Sequence, residues 1–157
     1  MSKNGAKQKS SNGGGGRGKI RKSEDEPSPM GRVHKKIDHP DNLLRFSFRH
    51  FDVTEKFCYP TENEGAYFKT LIERIKNISN LTVKEFRENK SSSLRIHTLK
   101  WAETSEPGGY AHLTEQLQQC EPWQFGLSVN EHGRVHGLLI DEVFYVVWLD
   151  VNHRMYP

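Results

Sequence analysis

An α+β class follows from three features of the sequence. Three runs of strand-forming residues lie within residues 123–157, WQFGLSVNEHGRVHGLLIDEVFYVVWLDVNHRMYP, separated by turn residues. Two stretches upstream carry apolar residues at helical spacing behind threonine start signals. One short alternating run precedes both. The predicted order is a strand, two helices, an inserted strand with a short helix, and a three-stranded C-terminal meander.

Each element has its own signal. In LLRFSFRHF, residues 43–51, Leu44, Phe46 and Phe48 alternate with Arg45, Ser47 and Arg49, the period of an amphipathic strand. Thr61-x-x-Glu64 behind Pro60 has the form of a capping box, and Tyr67, Phe68, Leu71, Ile72, Ile75 and Ile78 then recur at helical steps. Thr82 and Glu85 open a second, shorter helix that Leu81 and Phe86 staple. LRIHTLKW, residues 94–101, predicts a strand with Arg95 and His97 on one face, and Pro107-Gly108-Gly109 breaks the chain after it. Tyr110, Leu113, Leu117 and Cys120 predict a short helix leading to the meander. There Trp123, Phe125, Leu127 and Val129 alternate with Gln124, Gly126 and Ser128, as in a strand with one face buried. Asn130-Glu131-His132-Gly133 and Asp141-Glu142 supply the turns. The run Val143–Leu149 has no polar alternation, which places it centrally in the sheet.

Composition bounds the organisation. A chain of 157 residues, 34% hydrophobic, supports one modest core. Residues 1–41 hold ten Lys and Arg against five Asp and Glu, leaving thirteen against fifteen in residues 42–157, so the basic character belongs to the first segment. That segment is rich in Gly, Ser, Lys and Pro, and the expectation is a disordered basic tail over 1–41 and an α+β domain over 42–157. The tail reads first as a solvated linker and second as an arm that raises affinity for phosphate backbones, with Lys35 and Lys36 nearest the domain. No run approaches the roughly 18 apolar residues of a membrane span, and no signal-peptide core is evident. Cys58 and Cys120 make neither a disulfide scaffold nor a four-ligand zinc site, so free thiols and a cytoplasmic location are expected.

Several chemistries lack their motifs. No phosphate-cradling GxxxxGK[ST] and no GxSxG elbow is present, and His132-x-x-x-His136 spans a turn and a strand, where four residues do not bring two rings to one ion. The predicted sheet does gather cations and imidazoles: Arg134 and His136 on one face of the second meander strand, His153 and Arg154 just past the third. Guanidinium groups suit phosphate oxygens and imidazoles move protons near neutral pH, the parts that metal-free RNA cleavage needs. Read singly, each is more often a surface side chain, and Trp101, Trp123, Tyr145 and Trp148 read as packing.

This last segment resembles the C-terminal half of the RelE/YoeB/HigB toxins, small cytoplasmic ribonucleases of toxin–antitoxin pairs in the RelE/ParE superfamily. The residues that carry the resemblance are a Trp-started strand at Trp123, an Arg-led strand at Arg134, an acidic turn, an apolar strand and a terminal His153-Arg154-Met155-Tyr156. The resemblance implies a RelE-like fold, two N-terminal helices packed on a mostly antiparallel sheet that ends in the meander. It implies an mRNA endoribonuclease (mRNA interferase) that uses no metal or small-molecule cofactor, acts on mRNA at the ribosome and is neutralised by a cognate antitoxin, with no membrane partner. Arg134 falls at the family's phosphate-binding position, and His153, Arg154 and Tyr156 at its catalytic element, so Arg134 and His153 should reach one phosphodiester. His136-Gly137 stands where the family has an apolar-aromatic pair, and the insertion of LRIHTLKW and PGGY is extra to its shortest members. His97, His112, Glu115 and His136 are candidate general bases, with His136 first because it should project beside Arg134. Arg45, Arg95, His97, Lys35 and Lys36 are candidate RNA contacts. Two alternatives share these residues: a ParE-like gyrase-binding toxin, and a non-enzymatic nucleic-acid or protein-interaction domain whose arginines only hold phosphates.

Overall fold

The structure is a computed structural model that describes residues 42–129 and 132–156. The segment 1–41 with Lys35 and Lys36, the turn residues Asn130 and Glu131, and Pro157 lie outside the described residues. Strand β1 (Arg45–Ser47) leads into helices α1 (Glu64–Ile78) and α2 (Val83–Glu88). Strand β2 (His97–Thr98), a 3-10 turn at Trp101–Glu103 and helix α3 (Glu115–Gln118) follow, and the chain continues through β3 (Pro122–Gly126), β4 (Arg134–Ile140) and β5 (Val143–Asp150). The strands form one mixed sheet in the order β1-β5-β4-β3-β2, with β1 parallel to β5 and the other neighbours antiparallel. The α+β class holds. Strand β5 is interior, but β4 rather than β5 takes the centre of the sheet, which corrects the central place its unbroken apolar run predicts.

Both faces of the sheet are covered. On one, Phe125, Val135, Leu139, Phe144, Val146 and Leu149 pack with Tyr67, Leu71 and Ile78 of α1 and Phe86 of α2. On the other, Leu138, Val147 and Trp148 pack with Phe57, Leu99, Tyr110 and Met155, which come from loops. This double cover corrects the expectation of a half-solvated β3: all five of its residues are buried, Gln124 included. A bulge adjusts β5 to the two layers. His136 pairs with Trp148 and Gly137 with Val146, so Val147 is the extra residue, and Val147 and Trp148 both reach the second layer. Gly137 fits beside the bulge because a Cβ there would lie 2.1 Å from the Tyr145 carbonyl oxygen.

The helices follow their sequence signals unequally. Helix α2 has the predicted capping box: Thr82 Oγ1 accepts from Glu85 N–H at 3.1 Å, and Glu85 Oε2 accepts from Thr82 N–H at 2.8 Å. Helix α1 does not use Thr61. Its N-cap is Asn63 in the left-handed region (φ 51°), with no side-chain cap, so Glu64 is the first helical residue rather than a box partner. Tyr67, Leu71 and Ile78 are buried as predicted, but Ile72 is exposed. Strand β1 is shorter than the run 43–51 suggested, since the chain turns at Phe48, whose carbonyl accepts from Phe51 N–H at 3.1 Å. LRIHTLKW keeps two strand residues because Arg95 adopts φ 46° and breaks the extended run. Both cysteines are free. No described helix is long and apolar enough to cross a membrane.

Gly133 closes the turn into β4 with φ 71°, and a Cβ on it would lie 2.0 Å from the Asp150 carbonyl oxygen. We expect Gly133→Ala to lower stability by at least about 3 kcal/mol in urea denaturation. Gly65→Ala, in the open first turn of α1 with nothing within 4 Å, should be neutral or raise it by up to about 1 kcal/mol.

Candidate functional site

The register of the central strands builds the site. Across the sheet, Gly126, Arg134 and Asp150 are one set of paired positions; His97, Gln124, His136 and Trp148 are the next. Because residues two apart on a strand share a face, Arg134 and His136 project to the same side, as the sequence predicts. Their depths differ. Arg134, first in β4, is half-buried, whereas His136 is 0% exposed with Phe57 packed over it, ring centroids 6.2 Å apart.

Beneath the surface lies a buried carboxylate. Asp150, 1% exposed, accepts Arg154 N–H on Oδ1 at 2.7 Å and Met155 N–H on Oδ2 at 2.9 Å, and His136 Nε2 reaches Oδ2 at 3.5 Å. Burial pushes the Asp150 pKa up, but the bonds from His136, Arg154 and Met155 outweigh it and hold the carboxyl below its usual range. Burial pushes the His136 imidazole down, more than Asp150 raises it. A neutral ring with its proton on Nε2, donating to an ionised Asp150, fits both directions. His136 Nδ1 has no partner. His136 therefore holds Asp150 in place, and its cover of Phe57 and the sheet excludes the general-base role that its sequence position suggested.

Above it, Arg95, His97, Lys100, Arg134 and Tyr156 form an accessible cluster. Burial and the like charge of Arg95 push the Arg134 pKa down, while Asp150 and Tyr156 act the other way; the guanidinium stays charged, and its Nε has no partner. Arg95 sits beside it in the left-handed backbone region, which costs a non-glycine residue about 1–3 kcal/mol. His97 is held from both ends: Nδ1 lies 2.8 Å from the Thr98 carbonyl and Nε2 lies 2.8 Å from Gln124 Nε2. A carbonyl only accepts and an amide nitrogen only donates, so in this arrangement Nδ1 donates and Nε2 accepts. Gln124 is fully buried and its Oε1 is unpartnered. Tyr156 lies 6.5 Å from His97, centroid to centroid. Its pKa is pushed up by burial, against the pull of Arg134, so its hydroxyl is protonated at neutral pH.

The remaining predicted residues are dispersed. His153 is exposed on the turn after β5 with φ 56°. Arg154 gives its backbone to Asp150 while its side chain lines a separate cavity of about 660 Å³ with Tyr67 and His132. Arg45 is distant: it pairs with Val143 at the start of β5 whereas Arg134 pairs with Asp150 at its end, roughly 23 Å along the strand. At that separation Arg45 and Arg134 do not meet on one phosphate. His112 lies 3.9 Å from Asp52 beside Trp148, and Glu115 opens α3. Among the described residues no group of three or more His, Cys, Asp or Glu could hold a metal ion. Gln124 and Lys100 are site residues that sequence reasoning missed. Gln124 alternates with Trp123 and Phe125, the pattern of an outward-facing polar residue, and nothing local marks the loop packing over it.

Both buried groups have folded pKa values below their unfolded ones, so each contributes stability above its unfolded pKa and loses it on acidification. Stability should decline as pH falls below about 6.5, where unfolded histidine takes up a proton, and again below about 4 as Asp150 is protonated. Asp150→Ala should cost roughly 3–5 kcal/mol at pH 7 and abolish the lower step in urea titrations run from pH 7 to pH 3. An unchanged lower step would show that another carboxylate carries it.

Comparison with protein-family models, with curated proteins and with solved structures found no match for this chain.

Proposed function

We propose that the chain is a toxin-type endoribonuclease that cleaves RNA by attack of a ribose 2′-hydroxyl on the adjacent phosphorus. The observation that carries this reading is the accessible cluster of two arginines, an imidazole and a protonated phenol at one end of β4. Arg134 and Arg95 hold the phosphate oxygens and stabilise the charge that gathers on the phosphorane. His97 takes the 2′-hydroxyl proton on Nε2 once substrate displaces the Gln124 amide from it. The P–O5′ bond breaks, Tyr156 gives its proton to the departing 5′-oxygen, and the products are a 2′,3′-cyclic phosphate and a free 5′-hydroxyl. Asp150 acts at one remove, by fixing the turn that delivers Tyr156 to Arg134.

We propose as well that the fold is RelE-like, supported by helices α1 and α2 on one face of a sheet whose last three strands form a meander. mRNA, the ribosome and a cognate antitoxin are the partners it implies, resting on the likeness of residues 123–156 to that family.

A defined single-stranded RNA, incubated with the full chain in EDTA, tests the chemistry. We expect cleavage to 2′,3′-cyclic phosphate ends, a loss of roughly 10²–10³ in rate for Arg134→Ala, a smaller loss for Arg95→Ala, and no change for Arg45→Ala. His97→Ala and Tyr156→Phe should lose rate; Tyr156→Phe should keep the wild-type unfolding midpoint, whereas His97→Ala should lower it because the buried Gln124 amide loses its acceptor. Wild-type rates in both Arg134→Ala and His97→Ala would falsify the assignment. Growth arrest with intact mRNA and inhibited DNA supercoiling would transfer it to a gyrase-directed toxin.

A further inference from the structure

Two buried acceptors on neighbouring strands lack donors, and one of them belongs to the side chain that holds the reacting imidazole. Gln124 and His136 are both 0% exposed, and among the described residues Gln124 Oε1 and His136 Nδ1 have no hydrogen-bond partner. The register sets these two residues directly opposite one another on β3 and β4, with His97 opposite Gln124 on β2, so the three side chains form one row across the sheet. Directly paired residues hold their Cβ atoms about 4.5–5.5 Å apart, within the span of a glutamine side chain. The row ends on a charge, since His136 Nε2 reaches Asp150 Oδ2 at 3.5 Å.

An amide carries its donor and its acceptor at near-equivalent positions, so a half-turn about its last bond exchanges the two and moves no other group. In the present orientation the Gln124 N–H donates to His97 Nε2 at 2.8 Å, and Oε1 is left over. In the turned orientation Oε1 meets His97, which requires a proton on Nε2. Because His97 Nδ1 already donates to the Thr98 carbonyl at 2.8 Å, the ring then carries both protons. The freed amide N–H has its acceptor in His136 Nδ1. Both left-over atoms therefore gain partners when His97 is an imidazolium, and each new bond recovers what burial without a partner had cost.

We infer that Gln124 is a positioning residue for His97, its side-chain amide turning over when the imidazole takes the 2′-hydroxyl proton, an inference that rests on the RNA-cleaving reading. Before transfer the amide keeps Nε2 the accepting nitrogen of the ring. After it, Oε1 accepts the new Nε2–H, His136 Nδ1 accepts from the amide and His136 Nε2–H donates to Asp150, a line of hydrogen bonds from the imidazolium to a buried carboxylate. The proton stays on His97 until Tyr156, which gave its own to the 5′-oxygen, takes it back; the two rings lie 6.5 Å apart, centroid to centroid. Ionisable groups around the row include Arg95, Lys100 and Glu103 on the segment of His97, Arg134 on β4, Asp150 on β5 and Tyr156 beyond it. Its cations oppose a further charge on His97, and the turned amide offsets that opposition.

Nitrogen-to-nitrogen couplings across hydrogen bonds, recorded by NMR on the isotopically labelled full chain, test the inference. At about pH 8 the Gln124 side-chain nitrogen should couple to His97 Nε2; at about pH 5, where histidine is ordinarily charged, the coupling should move to His136 Nδ1. His136 keeps that nitrogen free there because burial pushes its pKa down. Gln124→Met, which preserves the length of the side chain and removes both amide atoms, should slow RNA cleavage about tenfold, the worth of one hydrogen bond to a charged group. A coupling that stays on His97 at both pH values, or leaves it without appearing at His136, overturns the inference, as does wild-type cleavage by Gln124→Met. The two readings fail separately. Arg134-dependent cutting with an unmoved coupling leaves the nuclease and removes the turn; a coupling that moves in a chain that cuts no RNA upholds the turn and removes the nuclease.

Discussion

The carboxylate of Asp150 is the constraint on which the rest of this fold depends. An ionised group at 1% exposure would cost several kcal/mol in desolvation if left alone. Here two backbone N–H groups and an imidazole point at it, and the compensation has a structural consequence. Arg154 and Met155 can satisfy it only if the chain turns sharply after β5, and that turn sends Met155 into the second core layer and Tyr156 toward Arg134. The opposite side of the same position is equally tight, since the Asp150 carbonyl leaves room at residue 133 for glycine alone. One residue thus fixes the start of β4, where Arg134 stands, and the end of β5, from which Tyr156 returns.

Histidine 136 shows how burial changes the meaning of a sequence position. On the strand it sits where a proton carrier beside Arg134 would sit, and the period-two argument that placed it there is sound. The missing information was the loop that carries Phe57, some eighty residues earlier, which stacks on Trp148 at 4.6 Å and closes over the imidazole. Under that cover a charged ring is disfavoured, and a neutral ring that donates to Asp150 is the form that remains. The accessible imidazole is His97, which arrives from an edge strand of two residues.

What could be read from the sequence was local. The meander, its turn at Asp141-Glu142, the shared face of Arg134 and His136, and the capping box of α2 all depend on residues within a few positions of one another, and they follow from period and turn chemistry alone. The start of α1 depended on whether Asn63 would take a left-handed conformation, which Thr61 and Glu64 could not report. The break at Arg95 is of the same kind: a strand propensity overridden by a backbone bond, Gly126 N–H to the Leu94 carbonyl at 2.6 Å, that ties the chain to β3. The role of Gln124 was hidden longest, because alternation makes a polar residue look outward-facing unless something covers the other face.

Both flanks of the C-terminal turn carry charges of both signs, Glu103 with Lys100 on one and Glu55 and Glu62 with Arg154 on the other. One flank gathers Arg95, Lys100 and Arg134, and the mutual repulsion of its arginines is tolerated because Asp150 lies beneath them. The other exposes Glu55 and Glu62. The turn between them is held by one buried carboxylate: Asp150 takes the backbone N–H groups of Arg154 and Met155, so the placement of both flanks follows from satisfying a single charge.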